Sequence, residues 1–245
     1  GAMSRDLQID ELSPAIWGLD VARHGSDSSV LVKRRGPKVT SIRKWRGLDL
    51  MQLSGAVVAE FEDTPPSKRP VEIIVDSIGL GAGVLDRLRE LDLPARGLNV
   101  SESPSVKGTY FNMRSELWFK VRDWLEGRDV DLPRDEALFA ELIGPRYTFT
   151  STGKMKVESK DEMRKRGISS PDSADALCLS LASDHTTLRY GMAASGGWEK
   201  GHCRSSSLRK RAFLNITSPR GRLVILRSLT LWLRGLRTAA KRRPS

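Results

Sequence analysis

The sequence predicts an α/β fold on a mixed sheet, in which an antiparallel three-strand meander continues into parallel strands and helices flank the whole. Three observations lead there. Three apolar segments between Ala15 and Trp45 are joined by connections too short for a crossover helix, so they pair antiparallel. The run Val71-Glu72-Ile73-Ile74-Val75 is nearly continuous in apolar residues, as a parallel strand buried on both faces is. From Leu50 onward, segments of helical period alternate with the strands.

Ala15 to Ala22, set between Pro14 and Gly25, reads as the first strand. Ser29 to Arg34 and Val39 to Trp45 follow, divided by the turn signal Arg35-Gly36-Pro37. Leu50, Leu53, Val57, Val58 and Phe61 fall at helical spacing, and Pro65-Pro66 ends that helix. After the strand at Val71–Val75, the glycines Gly79, Gly81 and Gly83 make a flexible turn into a helix from about Val84 to Leu91. Arg96 to Val100 forms another strand, Met113 to Leu125 a strongly amphipathic helix and Glu136 to Ile143 a shorter one. Tyr147 to Thr150 and Met155 to Glu158 make a hairpin around Ser151-Thr152-Gly153-Lys154. Ser170-Pro171 opens the last helix, serine as N-cap and proline at the first helical position, with Ala174, Leu177, Cys178, Leu181 and Ala182 as its apolar face. The expected order is βββαβαβαα, a hairpin, and a helix.

A chain of 245 residues that is 39% hydrophobic can bury a sizeable core, and ordinary glycine and proline contents exclude collagen-like or wholly disordered chains. Two cysteines, Cys178 and Cys203, cannot build a disulfide framework, and three scattered histidines give no zinc-ligand spacing. No apolar run reaches the ~18 residues of a membrane span. No signal peptide is evident, so a reduced cytoplasmic setting is expected. The net charge of +11 is unevenly placed: Thr186 to Ser245 holds fourteen Lys/Arg against the single acid Glu199, which leaves the body close to neutral. Three regions are therefore expected. Residues 1–13 are a lead-in whose Gly1-Ala2-Met3 resembles the remnant of an affinity tag; residues 14–187 are the folded domain; residues 188–245 are a basic, flexible tail. The tail's apolar stretch from Leu223 to Leu236 is the one segment in it suited to a short amphipathic helix.

Three aspartates stand where carboxylates are costly. Asp20 lies inside Ile16-Trp17-Gly18-Leu19-Asp20-Val21, Asp76 ends the buried strand, and Asp175 sits one turn into an apolar helix, three residues after Asp172. Ligands of open α/β sheets collect beyond the carboxyl ends of parallel strands, where Asp76 is placed. If the first strand pairs with Val71–Asp76, Asp20 and Asp76 lie side by side, and a helix crossing the sheet brings Asp175 to them. Converging carboxylates without histidine or thiolate make an oxygen-only site suited to Mg²⁺ or Mn²⁺. Two such ions support in-line phosphodiester displacement.

These residues carry a specific resemblance. Gly18-Leu19-Asp20-Val21-Ala22-Arg23-His24-Gly25-Ser26-Asp27 resembles the first acidic motif of the nuclease domain of tailed-bacteriophage large terminase subunits. Val75-Asp76-Ser77-Ile78-Gly79-Leu80-Gly81-Ala82-Gly83-Val84-Leu85-Asp86 is similar to the second. Glu158-Ser159-Lys160, followed by Ser170-Pro171-Asp172-Ser173-Ala174-Asp175-Ala176-Leu177, resembles the third. The resemblance covers about residues 14–185. It implies a ribonuclease H-like fold and a metal-dependent endonuclease that cuts concatemeric phage DNA during packaging in the cytoplasm of the infected host. Asp20, Asp76 and Asp175 would be catalytic metal ligands for two Mg²⁺ or Mn²⁺ ions, with Asp172 a further carboxylate. Double-stranded DNA would lie along the hairpin, with Lys160, Lys154 and Arg146 against its phosphates. Partners implied for an intact subunit are an ATPase motor domain, a small terminase subunit and the portal or procapsid, with no membrane involved. No GxxxxGK[ST] occurs here, as expected of a nuclease domain without its motor.

Other functions remain compatible with parts of this pattern. A Holliday-junction resolvase or transposase-like nuclease of the same fold shares the acidic triad. An actin-like nucleotide binder would use Asp20-Val21-Ala22-Arg23-His24-Gly25 as a phosphate turn but needs two such halves. A non-catalytic DNA-binding module has no use for the triad.

Overall fold

The structure, a computed structural model, describes Met3 and residues 7–10, 12–22, 27–127, 129–183 and 223–224. Its main sheet is centred on β1 (Ala15–Asp20), every residue of which is buried. β2 (Ser29–Arg35) and β3 (Lys38–Trp45) extend it antiparallel on one side; β4 (Glu72–Asp76) and β5 (Ala95–Leu98) extend it parallel on the other, giving the order β3-β2-β1-β4-β5. The expected mixed sheet is the one observed.

Side chains alternate across a strand, so β1 feeds two different layers. Trp17 and Leu19 join Leu31, Ile73 and Val75 beneath α1 (Leu50–Glu62) and α2 (Leu80–Glu90). α1 starts where Asp49 and Gln52 form a reciprocal capping box, satisfying amides that the first turn leaves unpaired. Ile16 and Ile74 face the opposite layer, made by α3 (Met113–Glu126), α4 (Glu136–Ile143) and α6 (Asp172–Ser180). The hairpin β6 (Arg146–Phe149) and β7 (Met155–Val157) lies beside α3, and α5 (Lys160–Lys165) follows it.

Several boundaries differ from expectation. α2 begins at Leu80, because the glycine run is absorbed into its first turn: a Cβ on Gly81 would stand 1.8 Å from the carbonyl oxygen of Asp76. That glycine lets the helix start directly over the end of β4. β5 spans Ala95–Leu98 rather than reaching Val100. At α6 the N-cap is Pro171 and Ser170 donates instead to the Asp172 carboxylate. The helix start is satisfied from α4, where Glu141 accepts from the Ala174 amide and the Ser173 hydroxyl, both at 3.0 Å. The domain boundary near residue 187 and the basic tail lie outside the described residues, except that Leu223–Val224 form β8, antiparallel to β6. Among the described residues no helix is long and apolar enough to cross a membrane.

Candidate active site

Asp20 ends β1 and Asp76 ends β4. These strands run parallel with Leu19 opposite Val75, so both carboxylates leave the sheet at the same end, one register step further on. α6 reaches that end by lying almost on the backbone of β1. A Cβ on Gly18 would be 2.1 Å from the carbonyl oxygen of Ala176 and 2.7 Å from the amide of Ser180, so only glycine admits the contact. Asp172 and Asp175 of α6 are thereby carried to Asp20.

The meeting point is a cation of the chain itself. Lys160, the first residue of α5, places Nζ 3.0 Å from Asp20 Oδ2, 3.3 Å from Asp172 Oδ1 and 3.4 Å from Asp175 Oδ2. Burial pushes the Asp20 carboxyl up to about 7, with Asp175 and Asp172 adding to the rise and Lys160 opposing it. Burial alone would lower the Lys160 ammonium, but Asp20, Asp175 and Asp172 outweigh it and hold the proton on.

Asp175 differs from Asp20 in its partners. Burial raises its pKa, yet Arg114, Lys160 and the Trp118 indole together bring it below the usual carboxylate range. Trp118 Nε1–H donates to Oδ1 at 2.8 Å and Arg114 Nη2 lies 3.2 Å from the same oxygen. Arg114 is itself anchored through Nη1 to the carbonyl of Glu158 at 2.7 Å. Asp172 accepts from the Ser28 amide at 3.0 Å as well as from Ser170, which ties α6 to the start of β2. Asp76 Oδ1 accepts from the Ile78 amide at 3.2 Å, the bond that turns the chain into α2.

A cleft of about 580 Å³ opens over these groups, lined among others by Asp20, Asp76, Asp175, Lys160, Arg114 and Arg164. Asp172 lies behind its wall. The three predicted catalytic aspartates thus share one cavity. Of the three basic residues expected against DNA, Lys160 is in it, whereas Arg146 and Lys154 do not line it. Lys154 follows the hairpin turn, its amide bonded to Thr150 Oγ1, and the Arg146 amide is bound to Glu158 Oε2.

Sequence reasoning missed Arg114, Trp118 and Arg164, and it missed α5 altogether. The signal for α5 was present: Ser159-Lys160-Asp161-Glu162 is a capping box, and in the structure Ser159 and Glu162 cap each other's backbone. Arg164 pairs with Asp27 at 2.5 Å and Asp161 at 3.0 Å, joining α5 to the loop after β1. Residues 23–26 of that loop lie outside the described residues.

The donor set can be tested for fit to a metal. Among the described residues no three His, Cys, Asp or Glu side chains already form a cation cage. Lys160 Nζ stands between the carboxylates instead, neutralising charge that their burial makes expensive. Four aspartates against Lys160 and Arg114 leave an acidic excess. All the available donors are carboxylate oxygens, so a hard divalent cation fits this chemistry once Lys160 withdraws.

No family model matches the sequence, and no curated protein matches it. Among solved structures, the chain is similar to a nuclease domain of the large terminase subunit of bacterial virus Sf6, solved with manganese and beta-thujaplicinol. The two are 22% identical, 70% of this chain and 89% of that one are covered, and the TM-score is 0.59. It is also similar to the large terminase nuclease of thermophilic phage G20c with bound magnesium, at 17% identity, 71% and 84% coverage and a TM-score of 0.53. These likenesses show a common fold: the ribonuclease H-like mixed sheet flanked by helices.

Proposed function

We propose that this chain is a divalent-metal-dependent DNA endonuclease domain of the kind that cuts concatemeric viral DNA in phage packaging. The observation that carries this is the convergence of Asp20, Asp172 and Asp175 on one cation, in the cleft that Asp76 also lines. The fold shared with terminase nucleases, one solved with manganese and one with magnesium, supports the same reading.

Asp20, Asp76 and Asp175 are the residues that would hold two Mg²⁺ or Mn²⁺ ions, with Asp172 bracing them from behind. When bound, such ions supply a water acidified toward neutrality and a Lewis acid for the departing oxygen. The chain's own residues do the rest. Lys160, released from the carboxylates, offers its ammonium to a phosphate oxygen entering the cleft. Arg164 at the rim holds a neighbouring phosphate. Arg114 and Trp118 keep Asp175 ionised and fixed. Hydrolysis there would join the water oxygen to phosphorus and break the bond to the 3′-oxygen, with one proton of the water ending on that oxygen, to give 5′-phosphate and 3′-hydroxyl ends.

DNA held mainly through phosphates should dissociate steeply with salt. In the intact subunit an ATPase motor domain would deliver that DNA, with the small terminase subunit and portal as further partners in the host cytoplasm. The test is plasmid nicking and linearisation with Mg²⁺, Mn²⁺, Ca²⁺ or EDTA, beside Asp20→Ala. The expected result is cleavage with Mg²⁺ or Mn²⁺ only, reduced more than about 100-fold in the variant, as loss of a first ligand should exceed loss of an outer-shell partner. Equal cleavage by Asp20→Ala, or none by the folded chain with any metal, overturns the proposal. A four-way junction cut in preference to duplex would move the assignment to a resolvase.

A further inference from the structure

Arg114 and Trp118 stand one turn apart on α3, on the side facing α6. Trp118 is 1% exposed, and a buried indole N–H must find an acceptor. It finds Asp175 Oδ1. The guanidinium of Arg114 lies 5.6 Å from the Trp118 ring centroid and bridges the Glu158 carbonyl to Asp175. A carboxylate oxygen has two lone-pair directions. Oδ1 accepts from the indole at 2.8 Å, while the guanidinium straddles the carboxylate, its Nη2 3.2 Å from Oδ1 and hydrogen-bonded to Oδ2 at 3.4 Å. Oδ2 is the oxygen that faces Lys160, at 3.4 Å, and so the centre of the site.

The consequence concerns which cation the site accepts. Ca²⁺ is bound by six to eight oxygens in loose geometry, often with a carboxylate giving both of its oxygens. Mg²⁺ demands near-octahedral order at shorter distance, which single-oxygen carboxylates and water provide. We infer that Trp118 and Arg114 are positioning residues that set metal selectivity: with the indole on Oδ1 and the guanidinium clamped across both oxygens, Asp175 turns only Oδ2 to the centre of the site, a one-oxygen ligand that selects Mg²⁺ or Mn²⁺ over Ca²⁺. This rests on the metal site proposed above.

The test reads metal uptake without DNA and without turnover. Free Mn²⁺ is followed by electron paramagnetic resonance in the presence of the protein, with Mg²⁺ or Ca²⁺ as competitor, for the unsubstituted chain, Trp118→Phe, Arg114→Lys and Asp20→Asn. Trp118→Phe keeps the ring and removes only the donor. The expected result is a Ca²⁺-to-Mg²⁺ competition ratio raised about tenfold in Trp118→Phe, the usual scale for removing a partner of a metal ligand. Arg114→Lys, which keeps the charge but loses the fork, should shift the ratio in the same direction by less. Should Trp118→Phe not fold by circular dichroism, Arg114→Lys decides the matter. An unchanged ratio in the folded variants overturns the inference while leaving the metal site in place. Mn²⁺ uptake that is absent, or insensitive to Asp20→Asn, overturns the metal site as well.

Discussion

On one face of the main sheet, α1 and α2 bury Trp17, Leu19, Leu31, Ile73 and Val75 against Leu53, Val57, Val84 and Leu88, and the buried Ser54 of α1 turns its hydroxyl to the Leu50 carbonyl of its own helix. On the other face, α6 meets the same strands at Gly18 and Asp20, and the buried groups include Asp172, Asp175 and Arg34. Arg34 is 1% exposed and gives its donors to the Ser180 carbonyl and hydroxyl and to the Gly36 carbonyl. Both layers are drawn from alternate residues of one strand. Apolar burial is the main favourable term of folding, whereas a buried charge pair returns little net stability. Both layers therefore gain stability from apolar burial, and the α6 layer, which also buries Leu117, Trp118, Phe119 and Leu177, is where some of that gain is given up for a cluster of carboxylates.

The largest effect that would break this comparison is expected at Gly18. In Gly18→Ala the new methyl meets backbone atoms of α6, which cannot swing aside as a side chain would. Overpacking typically costs ~1–3 kcal/mol, and a clash with backbone falls at the upper end of that range. Thermal denaturation should show the loss, and any folded fraction should have lost Asp20-dependent Mn²⁺ uptake because α6 is lifted from β1. An unchanged melting temperature would mean that the helix seats with room to spare.

Next comes the dependence of stability on pH, measured in EDTA. The Asp20 carboxyl rises from 3.8 in the free group to about 7 in the folded chain, chiefly through burial. Protons thus bind the folded form more tightly, and the contribution of Asp20 is fully present below 3.8 and lost as pH climbs through 7. Asp20→Asn, neutral throughout, should flatten this decline and be more stable than the unsubstituted chain at pH 8. If both proteins melt in parallel from pH 4 to pH 8, Asp20 is not the strained group.

How much of this was legible in the sequence follows from what each signal depends on. The strands and long helices were readable because their periodicity is local: Ile73-Ile74-Val75 and the Leu117, Val121, Leu125 spacing need no partner to be recognised. The convergence of Asp20, Asp76 and Asp175 was readable because a costly residue inside an apolar element announces itself. Arg114 and Trp118 were not, since on an amphipathic helix an arginine reads as surface and a tryptophan as core; only the tertiary fold puts both on Asp175. Glu141 capping α6 from another helix is of the same kind, and Ser170-Pro171 misled because a local cap was assumed where a distant one acts. α5 is a different case, a short helix passed over although its capping box was written in the chain.

The smallest effect on the site sharpens the comparison from the apolar side. Leu88 is fully buried on α2, among Leu19, Val75 and Val84 rather than against the carboxylates. Leu88→Ala should cost about 3 kcal/mol, the sum of lost transfer energy and the cavity left behind. Denaturant titration would read that loss as a lower midpoint at unchanged slope. Metal uptake and any cleavage rate, measured where the variant is still folded, should stay as they were, because the side chains bonded to Asp20 and Asp175 (Lys160, Arg114 and Trp118) lie on the other side of the sheet. A fall in metal uptake alongside stability would show that the α1–α2 layer also sets the position of Asp76. The route for such coupling would be the start of α2, where Gly81 lies against the Asp76 carbonyl.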